Sequence, residues 1–182
     1  MEHAHFFIGI PVPSKEQEEL ELVQEQLKGK VSYKRWTHPE DMHITLKFLG
    51  GASTKVIEQL GNALEQDVLS IAFSLQVETL NYFGNPSQPR VMFVDVEKTE
   101  SLAELQQQVE KVASKQGFPI EKRSYSPHIT LAKKWQDNQR KLSMDLESID
   151  YSSEIKVDHF HIYRIHPNKE PMYEIFKTIH LK

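Results

Sequence analysis

Apolar and polar positions alternate along this chain with two different periods, one typical of helices and one typical of strands. Three segments repeat apolar residues at helical spacing, about 15–28, 54–69 and 100–115. Shorter apolar or alternating runs lie between and after these segments and predict strands. The predicted strands lie near residues 5–12, 31–36, 42–49, 72–80, 91–96, 155–165 and 172–179, with one more around His128.

One tetrapeptide occurs twice in this pattern, as His43-Ile44-Thr45-Leu46 and as His128-Ile129-Thr130-Leu131, so that two histidines of identical local context lie 85 residues apart. On a strand, successive side chains point to opposite faces, so His and Thr share one face while Ile and Leu share the other. A chance match of this length has odds on the order of one in ten. The interpretation therefore needs more of the surrounding sequence to repeat.

The helix starts supply that further repeat. Ser14 and Thr99 are each predicted to cap the N-terminus of a helix, Ser14 within a capping box, and each lies 29 residues before its histidine. Each half thus reads as strand, helix, a strand or loop, and then the His-Thr strand. We predict two approximate repeats, 5–50 and 90–135.

Two irregular segments complete the prediction. Turn-forming residues are densest between Phe83 and Pro89, which predicts a loop that connects the two halves. The polar segment 136–148 is predicted to be partly helical.

Composition narrows the class of protein. The chain has 182 residues with 38% hydrophobic content, and 26 acidic against 22 basic residues give a net charge of −4, which argues against a general duplex-binding module. It has no cysteine, which excludes disulfides and thiolate chemistry and fits a cytoplasmic location. The short apolar run at 6–12 predicts a buried strand rather than a signal peptide or membrane span.

The paired histidines suggest phosphodiester chemistry. Imidazole has an unperturbed pKa of about 6.5, so one histidine can accept a proton while a second donates one. Thr45 and Thr130 would then hold the non-bridging phosphate oxygens, and Lys133 or Lys134 would offset the charge without a metal. Strand alternation predicts that Lys134, not Lys133, lies on the histidine face.

Other histidines leave a metal-dependent alternative open. His159 and His161 are two residues apart, as are His3 and His5, and such a pair on one strand face resembles half of a metal site. No carboxylate or third ligand is evident nearby, which favours an ordinary strand surface. We therefore expect no metal and no cofactor.

Three segments of the sequence resemble the two-histidine phosphoesterases, and among them the bacterial RNA 2′,3′-cyclic phosphodiesterases, also called 2′-5′ RNA ligases. The first runs from Arg35-Trp36 through His43-Ile44-Thr45-Leu46-Lys47-Phe48-Leu49-Gly50, the second is Pro89-Arg90-Val91, and the third is Ser126-Pro127-His128-Ile129-Thr130-Leu131. The resemblance covers nearly the whole chain.

The resemblance implies an α+β, bilobal, pseudo-symmetric fold, with residues 1–182 forming one domain of two lobes around a central cleft. It implies that His43 is the proton donor to the leaving 3′ oxygen and that His128 is the base that activates water. The implied reaction opens an RNA terminal 2′,3′-cyclic phosphate to a 2′-phosphomonoester, and with an RNA 5′-hydroxyl in place of water it joins RNA ends reversibly through a 2′-5′ linkage. The expected partners are RNA 3′ ends, with tRNA fragments as one candidate source, and no membrane; we expect a monomer.

The chain departs from the family pattern at Lys133, which stands where members often carry arginine, and lysine binds phosphate as a point charge rather than as a fork. Phe93 stands where an aromatic residue, often tryptophan, is usual; it is a candidate for stacking on a base, although core packing is the favoured interpretation.

Two other functions remain open at the level of sequence. One is a phosphodiesterase for small cyclic nucleotide phosphates or for 3′ oligonucleotide tails. The other is a non-catalytic module that binds nucleotide phosphates.

Overall fold

The computed structural model describes residues 2–143 and 145–182. Two short 3-10 turns, Pro39–Asp41 and Leu146–Ser148, lie between its main elements. In chain order these elements are β1 (His5–Pro11), α1 (Ser14–Leu27), β2 (Tyr33–Trp36), β3 (His43–Gly51), α2 (Thr54–Asp67), β4 (Phe73–Asn85), β5 (Gln88–Val96), α3 (Glu100–Lys115), β6 (His128–Trp135), β7 (Ser152–Val157), β8 (His159–Ile165) and β9 (Tyr173–His180).

The strands form two antiparallel sheets. One sheet has four strands in the order β3-β1-β8-β9, and the other has five in the order β2-β6-β5-β4-β7. The two strands that begin with the repeated histidines therefore lie in different sheets. Three helices and two antiparallel sheets make this an α+β fold, as predicted.

Helices α1 and α3 each pack on the sheet that does not contain the histidine strand following them in the chain. Helix α3, which precedes β6 of the second sheet, packs against β3 in the first sheet, and α2 also packs on the first sheet, against β9. Helix α1 lies against the second sheet, where the side-chain amide of Gln24 donates to the carbonyl of Leu131 in β6 at 3.0 Å. Among the described residues, no helix is long and apolar enough to cross a bilayer.

The predicted helix caps have different outcomes. The hydroxyl of Thr99 accepts a hydrogen bond from the backbone N–H of Leu102, which confirms this cap. The prediction for Ser14 is wrong, because Pro13 occupies the cap position and Ser14 is already the first helical residue. Gln17 donates its side-chain amide to the carbonyl of Val12 instead of closing a capping box.

The predicted loop at 83–89 is also wrong. Strands β4 and β5 run through most of it and pair as a hairpin, with Asn85 opposite Gln88. Both strands belong to one sheet, so this turn does not connect two lobes. Likewise, the single strand expected at 155–165 is two strands, β7 and β8, which separate at Asp158 and enter different sheets.

The polar segment 136–148 contains little helix where it is described. Its one helical feature among residues 136–143 and 145–148 is the 3-10 turn at Leu146–Ser148. Asp145 caps this turn, because its side chain accepts a hydrogen bond from the backbone N–H of Glu147.

The repeated tetrapeptides have the predicted two-faced character. Ile44, Leu46, Ile129 and Leu131 are buried in the common core, and the His and Thr side chains alternate with them on the opposite face. The pairing register shifts by one residue at the leucine of each tetrapeptide, at Leu46 in β3 and at Leu131 in β6. Such a bulge reverses which face the following residues occupy.

Candidate active site

His43 is held in one tautomer by the backbone just before β3. Its Nδ1 lies 2.7 Å from the carbonyl oxygen of Asp41, and its Nε2 lies 2.9 Å from Thr45 Oγ1. Because a carbonyl only accepts, Nδ1 must carry the hydrogen, and the Thr45 hydroxyl donates to Nε2 of the neutral ring. The reactive nitrogen of His43 is therefore Nε2, beside Thr45.

His128 has the same anchor on β6. Its Nδ1 lies 2.8 Å from the carbonyl oxygen of Ser126, again two residues earlier in the chain. Two phenylalanine rings flank the imidazole, Phe93 with its centroid at 4.9 Å and Phe83 at 5.1 Å. The repeated sequence thus produces a repeated geometry, in which a backbone carbonyl fixes Nδ1–H, so that Nε2 is the nitrogen not bound to the backbone.

The environment of His43 lowers its affinity for a proton. Three aromatic rings surround the imidazole, with centroids at 4.6 Å for Phe7, 5.4 Å for Tyr173 and 6.0 Å for Tyr163. Burial lowers the pKa of His43 to about 4; the Asp41 carbonyl works against this, and the charges of His128 and Lys133 add to it. Strand β3, which carries His43, contacts β6, which carries His128 and Lys133.

Asp41 connects this pocket to the C-terminal part of the first sheet. Its buried carboxylate accepts hydrogen bonds from the backbone N–H groups of Met172, at 2.8 Å, and Tyr173, at 3.1 Å. One residue thus fixes both the His43 tautomer, through its carbonyl, and the backbone at Tyr173, through its side chain. The sequence analysis missed Asp41 and Tyr173. They are separated by 132 residues in the chain, and no local pattern shows that they are in contact.

The prediction that Lys134, rather than Lys133, lies on the histidine face of its strand is wrong. Lys133 is partly buried and close enough to His43 to affect its pKa, whereas Lys134 is exposed, with φ of 64°. The reason is the register shift between Thr130 and Ala132, which moves Ala132 into the core and Lys133 onto the histidine face. Lys134 is thereby removed from the predicted phosphate contacts.

Phe93 has a supporting position rather than an open one. It is 2% exposed and packs between Phe83, at a centroid distance of 4.2 Å, and His128. Its neighbour across the strands is Thr130. The favoured interpretation from the sequence, core packing, fits this position, and a nucleobase cannot reach the ring face that His128 covers.

The cleft opens into two cavities. The larger, about 790 Å³, is lined by both motif strands, including Thr45 and His128, and by Phe83 and the segment 119–126. The smaller, about 440 Å³, is lined by Tyr173 and by four cations, among them Lys133. The larger cavity thus adjoins His128, and the smaller adjoins His43 through the Tyr173 ring that packs on it.

Two contacts fasten the wall of the larger cavity to β3. Lys47, which is 5% exposed, donates to the Glu110 carboxylate at 3.0 Å and to the Pro119 carbonyl at 2.7 Å. The hydroxyl of Tyr125 donates to the Thr45 carbonyl at 2.8 Å. These bonds link the segment that precedes His128 directly to the strand that carries His43 and Thr45.

The remaining histidines do not assemble a metal centre. His161 is buried, with Nδ1 3.0 Å from Thr178 Oγ1, and its ring packs on that of His159 at 5.0 Å. Throughout residues 2–143 and 145–182, no three His, Asp or Glu side chains come together in an arrangement that could hold a metal ion.

The arrangement defines a two-histidine phosphoesterase site, and comparison with known proteins identifies the family. The profile of the 2′-5′ RNA ligase superfamily matches residues 11–169. The chain belongs to this superfamily, which confirms the resemblance noted in its sequence.

Relatives cover nearly the full chain. The RNA 2′,3′-cyclic phosphodiesterase of Bacillus subtilis (strain 168) is 33% identical over 178 residues, which are 95% of this chain and 94% of the relative. The RNA 2′,3′-cyclic phosphodiesterase of Thermotoga maritima is 32% identical over 161 residues, 86% of this chain and 84% of the relative.

The fold matches solved structures at lower sequence identity. Escherichia coli LigT complexed with 3′-AMP superimposes with a TM-score of 0.81 at 19% identity and covers 98% of both chains. The TT0787 protein of Thermus thermophilus gives a TM-score of 0.72 at 21% identity over 97% of both chains. These likenesses establish the architecture.

Proposed function

We propose that the protein hydrolyses the terminal 2′,3′-cyclic phosphodiester of RNA to a 2′-phosphomonoester, by acid–base catalysis with two histidines and without a metal. The observation that carries this proposal is the pair of imidazoles, each with Nδ1–H on a backbone carbonyl, on strands β3 and β6 that contact each other. The family and its relatives, named RNA 2′,3′-cyclic phosphodiesterases, support the choice of reaction and substrate.

In the proposed reaction, His128 Nε2 takes a proton from the attacking water while the water oxygen bonds to phosphorus. The bond from phosphorus to the 3′ oxygen breaks, and that oxygen receives a proton from His43 Nε2. Thr45 and Thr130 donate to the non-bridging oxygens, and Lys133 offsets their charge. With an RNA 5′-hydroxyl in place of water as the nucleophile, the same groups would open the cyclic phosphate to a 2′-5′ linkage.

The donor role places a condition on His43. Its lowered pKa makes the imidazole neutral near pH 7 in the free protein, so the proton that it donates must be acquired with the substrate. An anionic phosphodiester in contact with the ring favours the charged form and opposes the effect of burial. We therefore expect substrate binding to raise the pKa of His43.

The decisive experiment is incubation of the protein with an RNA oligonucleotide that ends in a 2′,3′-cyclic phosphate, with EDTA present, followed by identification of the phosphate isomer. We expect a 2′-phosphate product, and we expect its formation to be lost with His43→Ala and with His128→Ala. Turnover that survives both substitutions would overturn the proposal.

The same assay separates the two remaining alternatives. Faster turnover of small cyclic nucleotide phosphates than of the oligonucleotide would favour a small-molecule phosphodiesterase. Binding of nucleotide phosphates without any turnover would favour the non-catalytic module. A cytoplasmic location and a monomeric state stay predictions, which fractionation and sedimentation would test.

A further inference from the structure

The smaller cavity, which we name the basic pocket, lies directly beside His43. Four cations line it: Lys34, Arg35, Lys133 and Lys169. Tyr173 also lines it, and the ring of Tyr173 packs edge-on against the His43 imidazole with centroids 5.4 Å apart. A group bound in the basic pocket would therefore be a direct neighbour of a group that reacts at His43.

The cations of the basic pocket have no acidic partners. In the part of the chain that the structure describes, none of the four side chains forms an ion pair or a hydrogen bond. The larger cavity also has four cations, but two of them are paired, Lys47 with Glu110 and Arg123 with Glu121, while Arg90 and Lys122 are not paired with any described residue. The basic pocket thus differs in that none of its four cations is held by a carboxylate of the described chain in an ion pair.

Two acidic residues, Asp41 and Glu170, line the basic pocket, so its four cations outnumber its carboxylates. The Asp41 carboxylate is already occupied by two backbone N–H groups, and Glu170 forms no ion pair with the four cations, all of which are described residues. Arg35 lies directly opposite Lys133 in the pairing of β2 with β6, a like-charge contact that destabilises a sheet unless an anion lies between the two groups. The pKa of Lys133 is lowered by burial and then by Arg35 and Lys134.

The proposed reaction indicates which part of the substrate lies next to the basic pocket. If the 3′ oxygen leaves at His43 and water enters at His128, in-line geometry places the terminal ribose on the His43 side of phosphorus. The larger cavity, lined by His128, then lies on the water side. The RNA that continues from the 5′ side of the terminal ribose therefore has the basic pocket as its neighbour.

We propose that the basic pocket binds the phosphodiester that joins the terminal nucleotide to the preceding one, so that the protein prefers oligonucleotide ends to mononucleotide 2′,3′-cyclic phosphates. This inference rests on the proposed function. Arg35 and Lys169 are the contacts specific to this second phosphate, whereas Lys133 lies between it and the reacting phosphate.

The test compares three substrates: a mononucleotide 2′,3′-cyclic phosphate, a dinucleotide with the same cyclic end, and that dinucleotide with a neutral methylphosphonate linkage. The variant is Arg35→Gln with Lys169→Gln. The matched control is Lys55→Gln with Lys156→Gln, which removes the same charge from exposed positions outside both cavities. The unmutated protein should prefer the charged dinucleotide over the other two by about 10-fold or more in kcat/KM, the effect of one charge-assisted contact.

We expect the Arg35/Lys169 variant to lose this preference while it retains mononucleotide turnover, and the Lys55/Lys156 control to keep it. A preference that is absent in the unmutated protein, or unchanged in the variant, would overturn the inference. A binding titration with a dinucleotide 2′-phosphate compares the unmutated protein, the variant and the control without turnover. A roughly 10-fold loss of binding in the variant with no catalysis by any form would uphold the basic pocket and contradict the proposed function.

Discussion

The two histidine strands have the same sequence and the same anchor, but they create different environments. Both imidazoles donate Nδ1–H to the carbonyl two residues earlier, and both strands bulge after the shared tetrapeptide. His43 lies within a cluster of three aromatic rings that lowers its pKa to about 4, whereas His128 contacts two rings at the open side of the cleft. Identical local sequence thus fixes orientation, while the tertiary surroundings set proton affinity.

The positions after the bulges diverge further. In β3 the buried position is Lys47 and the next is the exposed Phe48; in β6 the corresponding residues are the buried Ala132 and then Lys133. The first strand therefore uses its cation to hold the wall of a cavity, and the second presents its cation to the cleft. Two strands of the same local design thus carry lysines with different surroundings: Lys47 is buried in an ion pair, and Lys133 faces the cleft.

The largest effect expected is the loss of either imidazole. His43→Ala and His128→Ala should each lower kcat/KM on the cyclic RNA end by about 10³-fold or more, in the range typical of a positioned acid or base. Unfolding measurements on both variants would serve as the control for stability. A decrease of less than about 10-fold in either variant would contradict equal participation of the two halves.

The second effect concerns the buried pair that only the β3 half has. Lys47→Met leaves the Glu110 carboxylate without its partner in a site where the two side chains are 3% and 12% exposed. We expect a loss of about 3 kcal/mol in the free energy of unfolding, measured with urea. The double variant Lys47→Met with Glu110→Gln should recover much of this loss; no recovery would show that the pair is not the source.

The third effect tests the two threonines. Thr130→Val keeps the shape of the side chain and removes a donor to the phosphate, so kcat/KM should decrease about 10- to 100-fold. Thr45→Val should decrease it further, because the Thr45 hydroxyl also contacts His43 Nε2 and positions that ring. Serine at either position is the control and should restore most activity, and unchanged rates in both valine variants would remove the threonines from the site.

The smallest effect concerns stability against pH. The pKa of His161 is lowered to about 4 by burial and then by the charges of His159 and His180, and that of His43 is lowered similarly. The unfolded chain therefore binds more protons between about pH 6.5 and 4, and the free energy of unfolding should decrease as pH falls through this window. His161→Gln should reduce that decrease by on the order of 2 kcal/mol, and an equal slope in both proteins would contradict the assignment.

The sequence predicted the parts of the site that depend on local order. The repeated tetrapeptide correctly indicated which face of each strand carries His and Thr, and Thr99 correctly marked the start of α3. Lys134 was assigned to the wrong face because perfect alternation was assumed across a bulge, and a bulge leaves no clear mark in a single sequence. Tyr163 and Tyr173 were missed because they reach His43 only through the pairing of distant strands.

The most direct test of the central claim, that the two halves divide donation and acceptance of the proton, varies the leaving group. The substrate is a 3′-deoxynucleoside 2′-(p-nitrophenyl phosphate), in which p-nitrophenolate replaces the 3′ oxygen and leaves without protonation. His43→Ala should recover most of its lost activity on this substrate, because the donor is no longer needed, while His128→Ala should remain inactive. Recovery by His128→Ala, with none by His43→Ala, would contradict the account and reverse the two roles.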